Sequence, residues 1–268
     1  MRVNRFFLRR NLNRFFFVFW QALRGVAAVM LLCLIAMLAV AVFTAQFEVR
    51  DSVQMGADSS SGNRPGWVCG KISGNVIEVP RSAVLFWPEY EGKSTWEKGF
   101  TENKKGCDAN FTSLSMPLTW PDFSSVSTDE YTRIPYGEFQ GLVLTLEPTT
   151  ATHDDLDYMM RNVWETNPVD VEKVSGYEES LGLYFKDREY RFYPEIIDRY
   201  YWQRSAGKVP VVFSCRRQKV KKEFSICTGY FVIEKIGALA KIDIAPSKLK
   251  EWPAIVSATT DFVLSKVK

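Results

Sequence analysis

The sequence predicts an α+β fold: a single N-terminal transmembrane helix, then a domain of antiparallel β-sheet with packed helices, including an amphipathic helix at the C-terminal end. Three observations lead there. Residues 25–47, GVAAVMLLCLIAMLAVAVFTAQF, carry no charge. Beyond them, short runs rich in β-branched and aromatic residues alternate with turn-forming stretches, the signature of strands. Near the end, Trp252, Ile255, Val256, Thr259, Phe262, Val263 and Val267 recur at helical spacing, with Pro253 suited to the first turn. With 268 residues, the chain can bury one large core or two small ones.

The apolar run comes first in the argument because it decides the compartment. At 1.5 Å per residue it makes about 34 Å of helix, enough for a hydrocarbon core of about 30 Å. Residues 1–24 hold Arg2, Arg5, Arg9, Arg10, Arg14 and Arg24 and no acid. Arginines on one flank place that segment in the cytoplasm and the bulk of the chain outside. A cleaved signal peptide, with Ala39-Val-Ala41 as the cleavage site, is the alternative; the long span and extended basic region favour a retained anchor. Within the span, Cys33 reads as a lipid-facing apolar residue. Just before it, RFFFVFW (14–20) suits the headgroup interface.

Charge follows the same division. Residues 1–49 carry a net +5 while the whole chain is +3, so the remainder carries −2. That balance gives no basic field for nucleic acid. Residues 48–66, rich in Ser and Gly, read as a flexible linker. Residues 67–268 form the outer domain, with room for two lobes meeting near 130–150.

Four cysteines follow the span: Cys69, Cys107, Cys215 and Cys227. An even number outside the cytoplasm implies disulfides. Three connectivities are open. Cys69–Cys107 and Cys215–Cys227 are favoured, because each pair lies within one local unit. Zinc ligation is disfavoured, since no C-x-x-C occurs and His153 is the single histidine.

The strands follow in order. CGKISGNVIEVP (69–80) reads as extended chain turning at Ser73-Gly74-Asn75, and SAVLFW (82–87) as a further strand. Residues 88–126 read as loop. FQGLVLTLEP (139–148) alternates as a strand does. HDDLDYMMRNVWE (153–165) reads as a helix, with Thr152 and Asp155 resembling a capping box and Leu156, Met159, Met160 and Val163 on one face. SLGLYF (180–185) and REYRFYP (188–194) read as a hairpin about Lys186-Asp187. VPVVFSC (209–215), FSICTGYFVIEKI (224–236) and ALAKIDIAP (238–246) read as three adjacent strands. The first two are stapled by their cysteines around a basic tip.

Motifs for chemistry are sparse. No G-x-S-x-G, H-E-x-x-H, Walker A or G-x-G-x-x-G occurs. The acids of HDDLD (153–157) suit a helix N-terminus better than a metal, and Glu89 and Glu91 sit beside Pro88 and Gly92 as in a surface turn. The reading is therefore a non-enzymatic binding protein needing no cofactor. Its candidate partner-binding residues are Tyr190, Tyr193, Tyr200, Tyr201 and Trp202, with the basic Arg216, Arg217, Lys219, Lys221 and Lys222. Tyr, Trp and Arg together are typical of binding hot spots. Core packing for the rings, and a solvated tip for the cations, are the plainer alternatives.

CGKISGNVIEVPRSAVLFWPEYEG, GCDANF, LTWPDF (118–123), the cysteine hairpin and AKIDIAPSKLKEWPAIVSATTDFVLS together resemble membrane-tethered periplasmic accessory proteins of bacterial type VI secretion effectors, several of which are immunity proteins. The resemblance spans residues 66–268 and lies in cysteines and strands. Lipoprotein members carry a lipobox, which this chain lacks, so it would be anchored by a helix in the inner membrane. The resemblance implies a periplasmic immunity protein that occludes a cognate toxin. A non-enzymatic envelope assembly or accessory component, binding membrane proteins or peptidoglycan, is the competing expectation.

Overall fold

The computed structural model describes residues 37, 64–135, 137–149, 156–159, 176–189 and 193–268. The chain divides into two compact units, Met1–Asp58 and Ser59–Lys268. In the first, only Met37 is described, and it is helical. The transmembrane segment 25–47, the basic segment before it and most of the linker lie outside the described residues. Among the described residues, no helix is long and apolar enough to cross a membrane.

The second unit is mostly β, which narrows the α+β expectation. Its strands are β1 (Trp67–Ile72), β2 (Asn75–Pro80), β3 (Glu89–Tyr90), β4 (Phe111–Leu118), β5 (Leu142–Pro148), β6 (Gly176–Glu178), β7 (Leu183–Glu189), β8 (Ile196–Trp202), β9 (Val211–Gln218), β10 (Ile226–Ile233) and β11 (Ala238–Ile244). β1 and β2 form a hairpin. The others make one sheet in the order β3-β4-β5-β11-β10-β9-β8-β7-β6, with antiparallel neighbours throughout. Among the described residues of this unit, helix is confined to the short Thr128–Thr132, residues 157–159, several 3-10 turns and the C-terminal Trp252–Leu264.

Alternation gives the sheet two unlike faces. The inner face carries two legible cross-strand rows. One runs Phe185, Tyr201, Phe213, Gly229, Ile242, Leu144, Met116; the next runs Asp187, Arg199, Cys215, Cys227, Ile244, Leu142. The apolar members belong to the main core. The β1–β2 hairpin and the C-terminal helix cover this face. Ser73 and Gly74 both have positive φ at the hairpin turn, which matches the twist of two-residue hairpins. Ser73 Oγ donates to Gly237 O at 2.7 Å and Asn75 Nδ2 to Ile236 O at 3.2 Å, docking this turn on the β10–β11 connection.

The C-terminal helix buries Trp252, Ile255, Thr259 and Val263, as its spacing predicts. Trp252 meets Phe213 edge-on, with centroids 6.1 Å apart, and its indole N–H donates to Leu181 O at 2.9 Å. Past the helix, Val267 bridges to Ile77, and Lys268 N donates to Val76 O at 3.0 Å.

Both disulfides have the favoured connectivity, Cys69–Cys107 and Cys215–Cys227. The first ties β1 to the loop before β4. In the chain-entropy picture, separations of 38 and 12 residues are worth about 4 and about 3 kcal/mol.

Three elements differ from the sequence expectation. Residues 88–126 are not all loop: they hold β3 and the eight-residue β4, whose Leu114, Met116 and Leu118 are buried where it pairs with β5. SAVLFW is not a strand: Arg81–Ala83 forms a 3-10 turn and Phe86 has φ 55°. Its apolar residues are explained by packing, since Ala83 and Val84 are buried in a loop lying on β4. Lys186-Asp187 is not a turn but lies within β7, paired with Tyr200 and Arg199. Neither residue supplies the positive φ of a tight turn, whereas Gly182 does so at the β6–β7 connection.

Candidate partner-binding surface

The residues expected to meet a partner gather at the β7–β9 end of the sheet and on the β9–β10 tip. Strand alternation sorts them onto different faces. Tyr201 points into the main core, where burial pushes its hydroxyl pKa up. Tyr200 and Trp202 lie on the opposite, outer face. There Leu156, Trp202, Val209 and Val212 form a second apolar cluster, flanked by Met159, Tyr184, Tyr200, Tyr230, Val232 and Leu239. Trp202 stacks on Tyr184 at 5.9 Å, and Tyr184 meets Tyr177 at 5.1 Å. This makes an aromatic row running from a buried Trp to an exposed Tyr177. Within the cluster, Tyr230 is pushed up to about 12 by burial. Tyr193 is exposed in the turn before β8. Tyr190, His153, Met160 and Val163 lie outside the described residues.

The two adjacent arginines also part company. Arg216 faces outward and grips Asp198, with Nε to Oδ1 at 2.8 Å and Nη2 to Oδ2 at 3.2 Å. Asp198 is buried beneath it, so this carboxylate is held by a charge-assisted, two-pronged contact. Arg217 lies on the inner side, 3.7 Å from Asp187. Lys219 pairs with Glu189. Lys221 and Lys222 are exposed at the tip beside Val220.

Sequence reasoning missed the centre of this end. Arg199 donates to Asp187 through Nε at 2.6 Å and Nη2 at 2.8 Å. Its guanidinium lies 4.5 Å over Phe185 and 5.7 Å from Phe224. The hydrogen bond from Arg199 holds Asp187 below the usual carboxylate range, while Arg199 itself is held more firmly protonated. Arg217 lies 6.0 Å from the same Phe224 ring. The available signal was period-2 spacing: Asp187 with Phe185, and Arg199 with Tyr201, share one face of their strands. Placing a turn at Lys186-Asp187 hid it.

The arrangement presents charge and aromatic surface in fixed geometry. Paired, stacked arginines have already lost much of their rotamer freedom. Among the described residues, no three His, Cys, Asp or Glu side chains gather as a metal site. Glu89 lies in β3, and Glu91 accepts from Asn110 Nδ2 at 2.8 Å.

No protein-family model matches the chain. No curated protein sequence matches it either. Among solved structures, it is similar to Smlt3025, an immunity protein of the Stenotrophomonas maltophilia type IV secretion system. The identity is 12%, the TM-score is 0.47, and the similarity covers 75% of this chain and 93% of that one.

Proposed function

We propose that the chain is a membrane-anchored immunity protein, which neutralises a secreted antibacterial toxin by covering it. The observation that carries this reading is the β7–β9 end of the sheet, which the Cys215–Cys227 disulfide ties to β10. On the inner face Arg199 and Arg217 are held by Asp187 and by aromatic rings, and on the outer face Arg216 is held by the buried Asp198, on the same face as the aromatic row of Trp202, Tyr184 and Tyr177. Groups fixed before association cost little entropy when a partner covers them, and Tyr and Arg are the commonest anchors of such contacts.

The resemblance carried by the cysteines and strands supports the same reading. Residues 25–47 are the anchor in the bacterial inner membrane, with the N-terminus cytoplasmic and the folded unit periplasmic, where its disulfides form. The protein acts by occlusion, with no chemistry or cofactor of its own. Lys221 and Lys222 steer an acidic face of the toxin to the site.

The test is capture by the tagged full-length chain from detergent-solubilised envelope and secreted fractions, identified by mass spectrometry. Recovery of one toxin-like enzyme, with loss of its activity when the chain is added, is the expected result. The delivery system of that enzyme also decides between type VI and other secretion routes. Recovery of resident envelope assemblies without a toxin would overturn the proposal. The double substitution K221E/K222E is expected to slow association and flatten its salt dependence while leaving the fold intact.

A further inference from the structure

One exposed patch lies far from the β7–β9 end in the fold, in the loop between β2 and β4. Phe86 is 50% exposed, Trp87 44% and Trp96 95%. The ring of Trp87 sits 5.9 Å from Phe86 and 6.1 Å from Phe100, so Phe86, Trp87 and Phe100 form a shelf, and the exposed Trp96 belongs to the same loop. The backbone is held in an unfavourable conformation to present it. Phe86 has φ 55°, a region that bulky residues rarely adopt. Its N–H donates to Thr128 Oγ1 at 3.0 Å, and its carbonyl accepts from the Arg81 guanidinium. Backbone strain of this kind persists where surrounding contacts over-determine it, and it concentrates at functional surfaces.

Arg81 also fixes where the shelf lies. Its backbone N–H donates to Gly66 O at 2.9 Å. One residue therefore touches both the shelf and the point where the chain enters the folded unit. Upstream of that point stands the uncharged run 25–47. Between Trp87 and Gly106 the loop carries four lysines and four glutamates, so its attraction to a surface depends on the rings rather than on net charge.

We infer that this shelf docks on the lipid surface, with Phe86 and Trp87, joined by Trp96 of the same loop, seated at the headgroup level. Amphipathic rings favour that depth. The inference rests on the anchor proposed above. The anchor holds the domain at high local concentration over the bilayer, so weak ring insertion suffices. Residues 48–63 reach roughly 55 Å when extended, which leaves the domain free to settle on this side. Docking would turn the stapled end of the sheet into a fixed orientation above the membrane.

The experiment uses the full-length chain in phosphatidylcholine vesicles, with and without brominated acyl chains, comparing the parent with W87F/W96F. Emission removed by the double substitution is expected to be at least roughly twofold weaker in brominated vesicles, because the two rings lie within reach of the quencher. Equal difference emission in both vesicle types would place the rings in water and overturn docking. Alkaline extraction followed by flotation reads the anchor separately. Quenched rings on a chain stripped by alkali would support docking and overturn the anchor. Unquenched rings on a chain that resists stripping would do the reverse. If the difference emission is unquenched and W87F/W96F weakens toxin capture, the shelf belongs to the protein partner and the lipid assignment falls.

Discussion

Cys215 and Cys227 are direct cross-strand partners between β9 and β10, 4.0 Å apart at Cα, with both side chains fully buried. On β8 the neighbour of Cys215 is Arg199. The bond therefore marks the line where the apolar inner face gives way to the charged cluster. Replacing both cysteines by alanine is expected to cost about 3 kcal/mol of stability. Chemical denaturation of the parent and the double variant would measure it. Reductant should have little effect on the folded parent over minutes and should abolish the difference once the parent is unfolded.

Glu78 links the beginning and end of the folded unit. Its buried carboxylate pairs with Arg64, and with Lys268 at 2.6 Å. The hydrogen bond from Arg64 is the main cause holding its pKa below the ordinary 4.5, with Lys268 adding to it. A carboxylate with a lowered folded pKa stabilises the fold above its unfolded pKa, and that contribution is lost as pH falls through the folded value. Stability should therefore fall on acidification below about pH 4.5, with Asp187 contributing in the same direction. Glu78→Gln should lower the melting temperature at neutral pH and flatten the acid limb. Thermal melts across that range would show it.

Gly229 sits at the centre of β10 with the Phe213 ring lying over it, so an added Cβ would collide with that ring and crowd Ile242. Phe213 in turn packs on Trp252. Gly229→Ala is expected to cost about 1–3 kcal/mol through overpacking. Pairing it with Phe213→Leu should recover part of that cost, giving a non-additive double-mutant cycle in urea unfolding.

Thr259 is fully buried in the C-terminal helix, and its hydroxyl has no hydrogen-bond partner among the described residues. Valine has nearly the same shape without the polar atom. Thr259→Val is therefore expected to stabilise by about 1 kcal/mol, raising the melting temperature by a few degrees. An unchanged or lower value would mean that the hydroxyl is satisfied.

Much of the fold was legible because one face of each strand is buried. The alternation of Ile226–Ile233 and Ala238–Ile244, and the helical spacing of Trp252, Ile255, Thr259 and Val263, record burial directly. Elements that depend on remote partners were not legible. Val84 is apolar because it is buried where its own loop lies on β4, so its run imitates a strand. Lys186 and Asp187 look like a turn because polar pairs often mark one, yet Asp187 belongs to an ion pair with a residue twelve positions away. At the candidate surface, composition singled out Tyr200, Arg216 and the lysines as candidates. The bidentate grips of Arg199 on Asp187 and Arg216 on Asp198 appear only once the register of β7, β8 and β9 is known.

The pairing of β5 with β11 joins Leu142 to Ile244 and Leu146 to Ala240. Every strand from β6 to β10 lies in sequence between those partners. Closing so long a loop costs entropy before the contact returns any stability, which makes it a slow step in folding. Until it closes, two apolar strands expose unpaired edges side by side with nothing to cover them. The vulnerable moment for this protein is therefore the interval before β5 meets β11, when a second unfinished chain competes for the same edge.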